Sequence, residues 1–424
     1  MWKIIYNYLF LPLTISLLKI AKHFNYKIKI GVEGRINLFI ELRLRLVKIE
    51  HKKRIWFHSS SMGEFEQVKP IIAEIKKQFP EYGIVTTFFS PSGYLNSLNY
   101  KNSDIISYLP LDTKTNVNQF LDLVKPEIAI MVRYDVWPNF AWESKRRNIP
   151  LILVNGTLKN NSKRFLPIVN KLHSEVFNCF TNIFTVTKDD KLNFDKLNVV
   201  KPKIEATGDT RFDQVIERRD LAHKKHLLPT FITDGKIIFI AAQTWREDEE
   251  VIFPGLSEMI KQNPNILTII VPHEPTENNL ERIESEAESN FSTIRFSLLN
   301  DFNNESAIIV DSIGVLVAFY QYADLVYVGG SFKQGIHNVL EPSAFGVPII
   351  FGPNHLNSQE AVELKKISGA FEVNNSIEFL HILKKLINDV DLKNNSGFIA
   401  KNFVEQNLGA TKIFMDFLTT YLKN

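Results

Sequence analysis

Two α/β domains with parallel sheets are the fold class this sequence predicts, on three observations. Short apolar runs alternate with helical patterns from residue 53 onward. Several runs empty into glycine, serine or proline loops, the way strands end in sheets built from strand–helix–strand units. The chain has 424 residues, enough for two domains with separate cores. With 45% hydrophobic and 23% charged residues, its composition is that of a globular protein.

Before the first strand, residues 4–18 (IIYNYLFLPLTISLL) are apolar except for interruptions at Asn7 and Pro12. This length is the short limit for a spanning helix, and a small-residue cleavage site is lacking. A buried amphipathic first helix is one reading; a membrane anchor, spanning or lying in the interface, is the other. The flank favours the anchor. Lys19, Lys22, Lys27, Lys29, Arg35, Arg43, Arg45, Lys48, Lys52, Lys53 and Arg54 follow it against few acids. Such a flank favours an anionic leaflet and places the bulk of the chain on the cytoplasmic side. A net charge of +3 is too small to argue for nucleic acid. The single cysteine, Cys179, excludes an internal disulfide and a cysteine zinc cluster.

In the first half the predicted strands are 54–58, 83–89, 128–132, 151–154 and 183–186. The first runs into Ser59-Ser60-Ser61-Met62-Gly63-Glu64. Ser61 and Glu64 fit a capping box, a structural role. Glu64 beside Gly63 at a strand's carboxyl end also suits a base taking a proton from an attacking hydroxyl. Arg133-Tyr134-Asp135-Val136-Trp137-Pro138-Asn139 follows the third strand, with Trp137 alone readable as core packing. Asn155-Gly156-Thr157-Leu158 follows the fourth. In Gly208-Asp209-Thr210-Arg211-Phe212-Asp213, Arg211 either neutralises a phosphate or pairs with a neighbouring aspartate.

The second half opens after a polar helix from 214 and a linker reading at 229–235. Its predicted strands are 236–241, 266–271, 307–310, 325–328 and 348–351. Ends of interest are the acidic turn 246–250, Pro272-His273-Glu274-Pro275, and Asp311-Ser312-Ile313-Gly314. His273 and Glu274 lack a third ligand at useful spacing, so no metal is expected. The fourth strand leads to Gly329-Gly330-Ser331 and then Asn338-Val339-Leu340-Glu341-Pro342, the start of a predicted helix. Glycines let backbone approach a ligand, a helix start offers free N–H groups, and Glu341 suits ribose hydroxyls rather than phosphate. On pattern alone an ordinary strand–helix unit is the competing reading.

Taken together, SSSMGE (59–64), DVWPN (135–139), NGTL (155–158), GDTRFD (208–213), VDSIG (310–314), GGSFKQGIHNVLEP (329–342) and GPNHLN (352–357) resemble the bacterial Kdo transferases. These are membrane-associated, inverting glycosyltransferases that move 3-deoxy-D-manno-octulosonic acid (Kdo) from CMP-Kdo to lipid A precursor. The resemblance implies a GT-B architecture, two Rossmann-like domains with a cleft between them, plus an amino-terminal membrane-anchor helix. It divides the chain into an anchor (1–24), an acceptor domain (25–215), a CMP-Kdo domain (222–400) and a terminal helical segment (401–424) packing back at the junction.

By the same resemblance Glu64 is the general base, while Asp135 and Arg211 stabilise the transition state. CMP contacts fall on Pro272, His273, Ile313, Gly314, Val315, Asn338, Val339, Leu340 and Glu341. Gly330, Ser331, Lys333 and His337 are donor-loop candidates; Ser61, Gly63, Arg133 and Trp137 lie on the acceptor side. No cofactor beyond the substrate and no metal is implied. The sole D-x-D, Asp389-Val390-Asp391, sits in a polar segment between helices and reads as a surface turn. Partners are CMP-Kdo, lipid A precursor and an anionic membrane surface, at the cytoplasmic face of the inner membrane. Three substitutions set this chain apart: Arg133 replaces an acid, His273 an arginine, and Val315 a glutamate. They motivate one competing reading, a non-catalytic tethered derivative; another keeps the fold and changes the donor to a UDP-sugar, with a lipid carrier as acceptor.

Overall fold

The computed structural model describes residues 2–423. By internal contacts the chain forms two units, Met1–Gln214 with Leu408–Asn424, and Val215–Asn407. The first holds a seven-stranded parallel sheet of β1 (Lys53–Ser59), β2 (Tyr82–Phe88), β3 (Ile105–Tyr108), β4 (Ile128–Val132), β5 (Leu151–Gly156), β6 (Asn182–Thr185) and β7 (Lys203–Ala206), in order β3-β2-β1-β4-β5-β6-β7. The second repeats the plan with β8 (Ile237–Thr244), β9 (Ile266–Pro272), β10 (Thr293–Arg295), β11 (Ala307–Ile309), β12 (Leu325–Val328), β13 (Ile349–Phe351) and β14 (Ala370–Glu372), ordered β10-β11-β9-β8-β12-β13-β14.

Each sheet is covered on both faces, and the period-2 alternation of strands divides its core in two. Trp56 packs in one cluster with Phe120 and Phe140, while its neighbours Ile55 and Phe57 join Phe65 and Ile71 in the other. In the second unit Ile238 and Ile240 face one way, Phe239 and Ala241 the other. The central strands are therefore mostly apolar, which made them legible in the sequence. Those the sequence reading missed, β3, β7, β10 and β14, are the two edges of each sheet. Edge strands are short and pair on one side only. β7 and β10 contain no buried residue at all, so no apolar run marks them.

Other boundaries differ for local reasons. The linker reading at 229–235 holds a short helix, Thr230–Thr233. The helix expected from Asn338 begins at Leu340 and spans only Leu340–Ala344. The final helical segment is two helices, Val390–Glu405 and Ala410–Lys423, parted by Gly409 at φ 108°. Asp389 caps the former by accepting from Leu392 N at 2.9 Å. The helix Ala410–Lys423 packs on Met62–Gln78 within the first unit, with Phe414 edge-on to Phe184. Asp213 fastens its start, accepting from the N–H groups of Gly409 and Thr411 at 2.7 Å each.

The apolar amino-terminal stretch is a helix, Trp2–Ala21, long and apolar enough to cross a membrane. One face is docked on the first unit. Tyr6 donates its hydroxyl to Asp112 at 2.8 Å, and the amides of Asn7 and Asn139 pair reciprocally at 2.8 and 3.0 Å. Lys3 lies over Trp142, and Leu11 is buried. Positions 3, 6, 7 and 11 share a helix face. Ile4, Leu9, Leu13, Leu17 and Ile20 are left exposed.

The feature that positions the sites is the reversal of strand order. From β1 the chain builds outward through β2 and β3, then returns and builds the other way from β4; β8 and β12 do the same in the second sheet. Loops leaving the carboxyl ends of such a strand pair diverge and open a crevice, the usual ligand position in open α/β sheets.

Candidate active site

In the first unit the crevice at β1 and β4 collects Glu64, His58, Asp135 and Trp137. Glu64 is buried in the first turn of the helix Met62–Gln78. One carboxylate oxygen, Oε2, accepts the backbone N–H groups of Ser60 at 2.6 Å and Ser61 at 3.2 Å. Both sequence readings of Glu64 are therefore compatible: one oxygen caps the helix and the other is left for chemistry. Burial pushes this carboxyl above the usual carboxylate range, and the charge of Asp135 pushes it further. A Cβ at Gly63 would meet nothing within 4 Å, so the backbone there is open to a ligand.

Asp135 stands beside a buried histidine that the sequence reading did not select, and both share the Trp137 indole N–H. His58 is fully buried at the end of β1. Its Nδ1 faces the Thr87 carbonyl oxygen at 3.1 Å, an acceptor only, so Nδ1 carries the proton. Nε2 then accepts the Trp137 indole N–H at 3.0 Å, and Asp135 Oδ2 stands 3.2 Å from Nε2 and 3.3 Å from that same N–H. Trp137 is thus more than core packing. Pro138 opens the next helix, Pro138–Arg146, at a position where its missing N–H costs nothing.

Arg133 takes a left-handed backbone at φ 61°, uncommon for a residue with a long side chain, directly after β4. Its guanidinium lies 5.5 Å from the Tyr134 ring, and Arg164 covers the same ring at 5.1 Å. Arg164, which the sequence reading did not select, is close enough to Asp135 to interact with its charge. Arg211 is committed to Asp209, with contacts of 3.0 and 2.8 Å from Nε and Nη2 to Oδ2. Of its two sequence readings, the structure displays the ion pair.

In the second unit the crevice lies at β8 and β12. Gly329 admits no side chain, since a Cβ there would come 2.4 Å from the Gln243 carbonyl oxygen. Asp248, fully buried in the first turn of the helix Arg246–Gln262, ties the loops together. It accepts from Gly330 N at 2.8 Å, Trp245 N at 3.0 Å and the Tyr327 hydroxyl at 2.8 Å. Burial pushes its carboxyl up even so. The sequence reading marked this acidic turn without singling out Asp248.

Pro272 ends β9, and His273 follows, its N–H on Thr244 O at 3.0 Å. The His273 ring stacks on His337 at 4.5 Å and on Trp245 at 4.5 Å, and Lys333 covers Trp245 at 4.2 Å. Ser331 is buried and accepts Gly352 N at 2.6 Å, a structural bond. Asn338 Oδ1 accepts Leu340 N at 3.0 Å, and Arg218 donates to the buried Glu341 at 2.7 Å. Val339 and Leu340 are buried. Ile313 is exposed, Gly314 has φ 81°, and Val315 precedes the short helix Leu316–Phe319. Among the described residues no group of three or more His, Cys, Asp and Glu side chains could hold a metal ion.

Residues 40–214 match the family model for 3-deoxy-D-manno-octulosonic-acid transferase. The chain is 30% identical over 320 residues to the 3-deoxy-D-manno-octulosonic acid transferase of Chlamydophila psittaci, covering 74% of this chain and 72% of that one. It is 29% identical over 378 residues to the Haemophilus influenzae enzyme of the same name, covering 87% of each. Among solved structures, a UDP-GlcNAc 2-epimerase from Neisseria meningitidis bound to UDP-GlcNAc shares the fold, with TM-score 0.61 at 16% identity over 88% of this chain and all of that one. Two doubly wound parallel sheets, each with loops at the point where its strand order reverses, form the GT-B architecture, and the named relatives make the chain a glycosyltransferase of that type. The chain belongs to the 3-deoxy-D-manno-octulosonic acid transferase family.

Proposed function

We propose that this chain transfers Kdo from CMP-Kdo to lipid A precursor (lipid IVA) in lipopolysaccharide core biosynthesis, with inversion at the donor carbon. The observation that carries the reading is Glu64: a buried carboxylate at the end of β1, raised by burial, with one oxygen capped by Ser60 and Ser61. A base tuned upward is what deprotonating a sugar hydroxyl near neutral pH requires. Asp135, with Arg164 near it, and Arg211 are the charged groups assigned to the transition state. CMP is an adequate leaving group, so the reaction as read needs positive charge for the phosphate and no metal or other cofactor.

The glycine loop after β12 and the segment from Asn338 to Glu341 are read as the CMP side of the reaction, in the second unit. The test is a transfer assay with CMP-Kdo generated in situ and lipid IVA. CMP release with a mass gain of one or more Kdo units is expected. Transfer from a UDP-sugar with no turnover of CMP-Kdo would overturn the donor assignment.

The amino-terminal helix is read as lying in the membrane interface at the cytoplasmic face of the inner membrane rather than spanning it. Tyr6, Asn7 and Leu11 hold one face on the protein, which leaves Leu9, Leu13, Leu17 and Ile20 to enter lipid. Replacing Leu13, Leu17 and Ile20 by serine should abolish cosedimentation with vesicles containing anionic lipid and leave the melting temperature unchanged. Undiminished vesicle binding would sink this placement.

A further inference from the structure

The ring cluster in the second unit has a chemistry that family membership does not supply. Trp245 donates its indole N–H to His337 Nε2 at 3.1 Å. This fixes the proton of His337 on Nδ1 and leaves that N–H directed away from Trp245. His273 lies against both rings, 12° from parallel with His337 and 30° from Trp245. The Nδ1 of His273 is buried without a hydrogen-bond partner. The charged groups around the pair are Lys333 above Trp245, Glu274 beside His273 and Asp248 beneath the loop. Lys333 is shared with Glu247 at 3.3 Å, and Asp248 is consumed by backbone donors. Two imidazoles face to face, one with its acceptor nitrogen occupied and neither hydrogen-bonded to a carboxylate, form a site short of negative charge.

We propose that the Trp245–His273–His337 cluster grips the phosphate of the nucleotide donor, and that binding draws one proton from solvent onto the histidine pair. Trp245 acts as the positioning residue, working through His337. The proposal rests on the donor reading above and adds a linkage to it. Burial and the neighbouring ring push His337 down to about 4, and burial lowers His273. In the free protein the pair is therefore neutral at physiological pH. A phosphate against it favours the charged form and raises the apparent value for the pair. Between those two values the complex holds one proton more than its components, so affinity falls as pH rises.

The experiment is CMP binding by calorimetry at pH 5 to 8, on the full chain and on His273→Gln, His337→Gln and Trp245→Phe, with folding checked by circular dichroism. CMP titrates its own phosphate in this range, identically for every protein, so the comparison isolates the pair. Wild type should lose up to about tenfold in affinity per pH unit beyond the loss seen in either histidine variant. Trp245→Phe keeps a ring under His273 and frees Nε2 of His337, so its loss of affinity should set in at higher pH. Equal pH slopes in wild type and both folded histidine variants would overturn the proposal while leaving the donor reading intact. Absence of CMP binding by wild type at every pH would overturn the donor reading and this inference with it.

Discussion

Glu64→Gln should lose transfer by about 10²- to 10⁴-fold in kcat while folding as wild type does. The two backbone donors of Ser60 and Ser61 converge on one carboxylate oxygen, and a glutamine carbonyl oxygen can accept both. Capping is preserved and the base is removed. The acid limb of kcat/KM against pH gives a second check. Glu64 must be ionised to act, and burial followed by repulsion from Asp135 raises its carboxyl. Activity should therefore fall, as pH drops, at a higher pH than an ordinary glutamate near ~4.3 would give. Asp135→Asn removes the repulsion, so whatever activity remains should show that limb moved to lower pH. A Glu64→Gln enzyme active within a few-fold of wild type would return the residue to its capping role alone.

The second large effect is on stability. Asp248→Ala should strand the N–H groups of Trp245 and Gly330 and the Tyr327 hydroxyl in a fully buried position. Each orphaned donor costs about 1–3 kcal/mol, and a loss of roughly 3–5 kcal/mol is expected for the group. For a unit of this size that lowers its melting temperature by about 10 °C. Binding of CMP should weaken in parallel, because Gly330 N is one of the released groups. A melting temperature within two or three degrees of wild type would mean that water replaces the carboxylate and that Asp248 does not order the loops.

How far these features could be read in the sequence depended on what buries each residue. Strands β4, β8 and β12 carry continuous apolar runs, and β1 carries Ile55-Trp56-Phe57, because both faces are covered, and they stood out; β7 and β10 have no buried residue and did not. Glu64 was legible because a glycine and a capping pattern sit beside it. His58 was not, since a polar residue inside a strand carries no local signature, and only the pairing of β1 with β2 and β4 sets it between Thr87 and Asp135. The same holds for Trp245 and His337, 92 positions apart and joined by one hydrogen bond. Arg164 became visible only through the fold that brings its loop to Tyr134.

The return of the helix Ala410–Lys423 to the first unit has a consequence for the order in which the protein is made. In chain order, Val215–Asn407 is one uninterrupted stretch and can build its sheet from its own residues alone. The unit synthesised first is not one stretch. Phe414, Met415 and Leu418 complete a core whose other members, Phe65, Ile71 and Phe184, were translated more than two hundred residues earlier. Until then that apolar surface is uncovered, a state prone to misassembly and a natural client for chaperones.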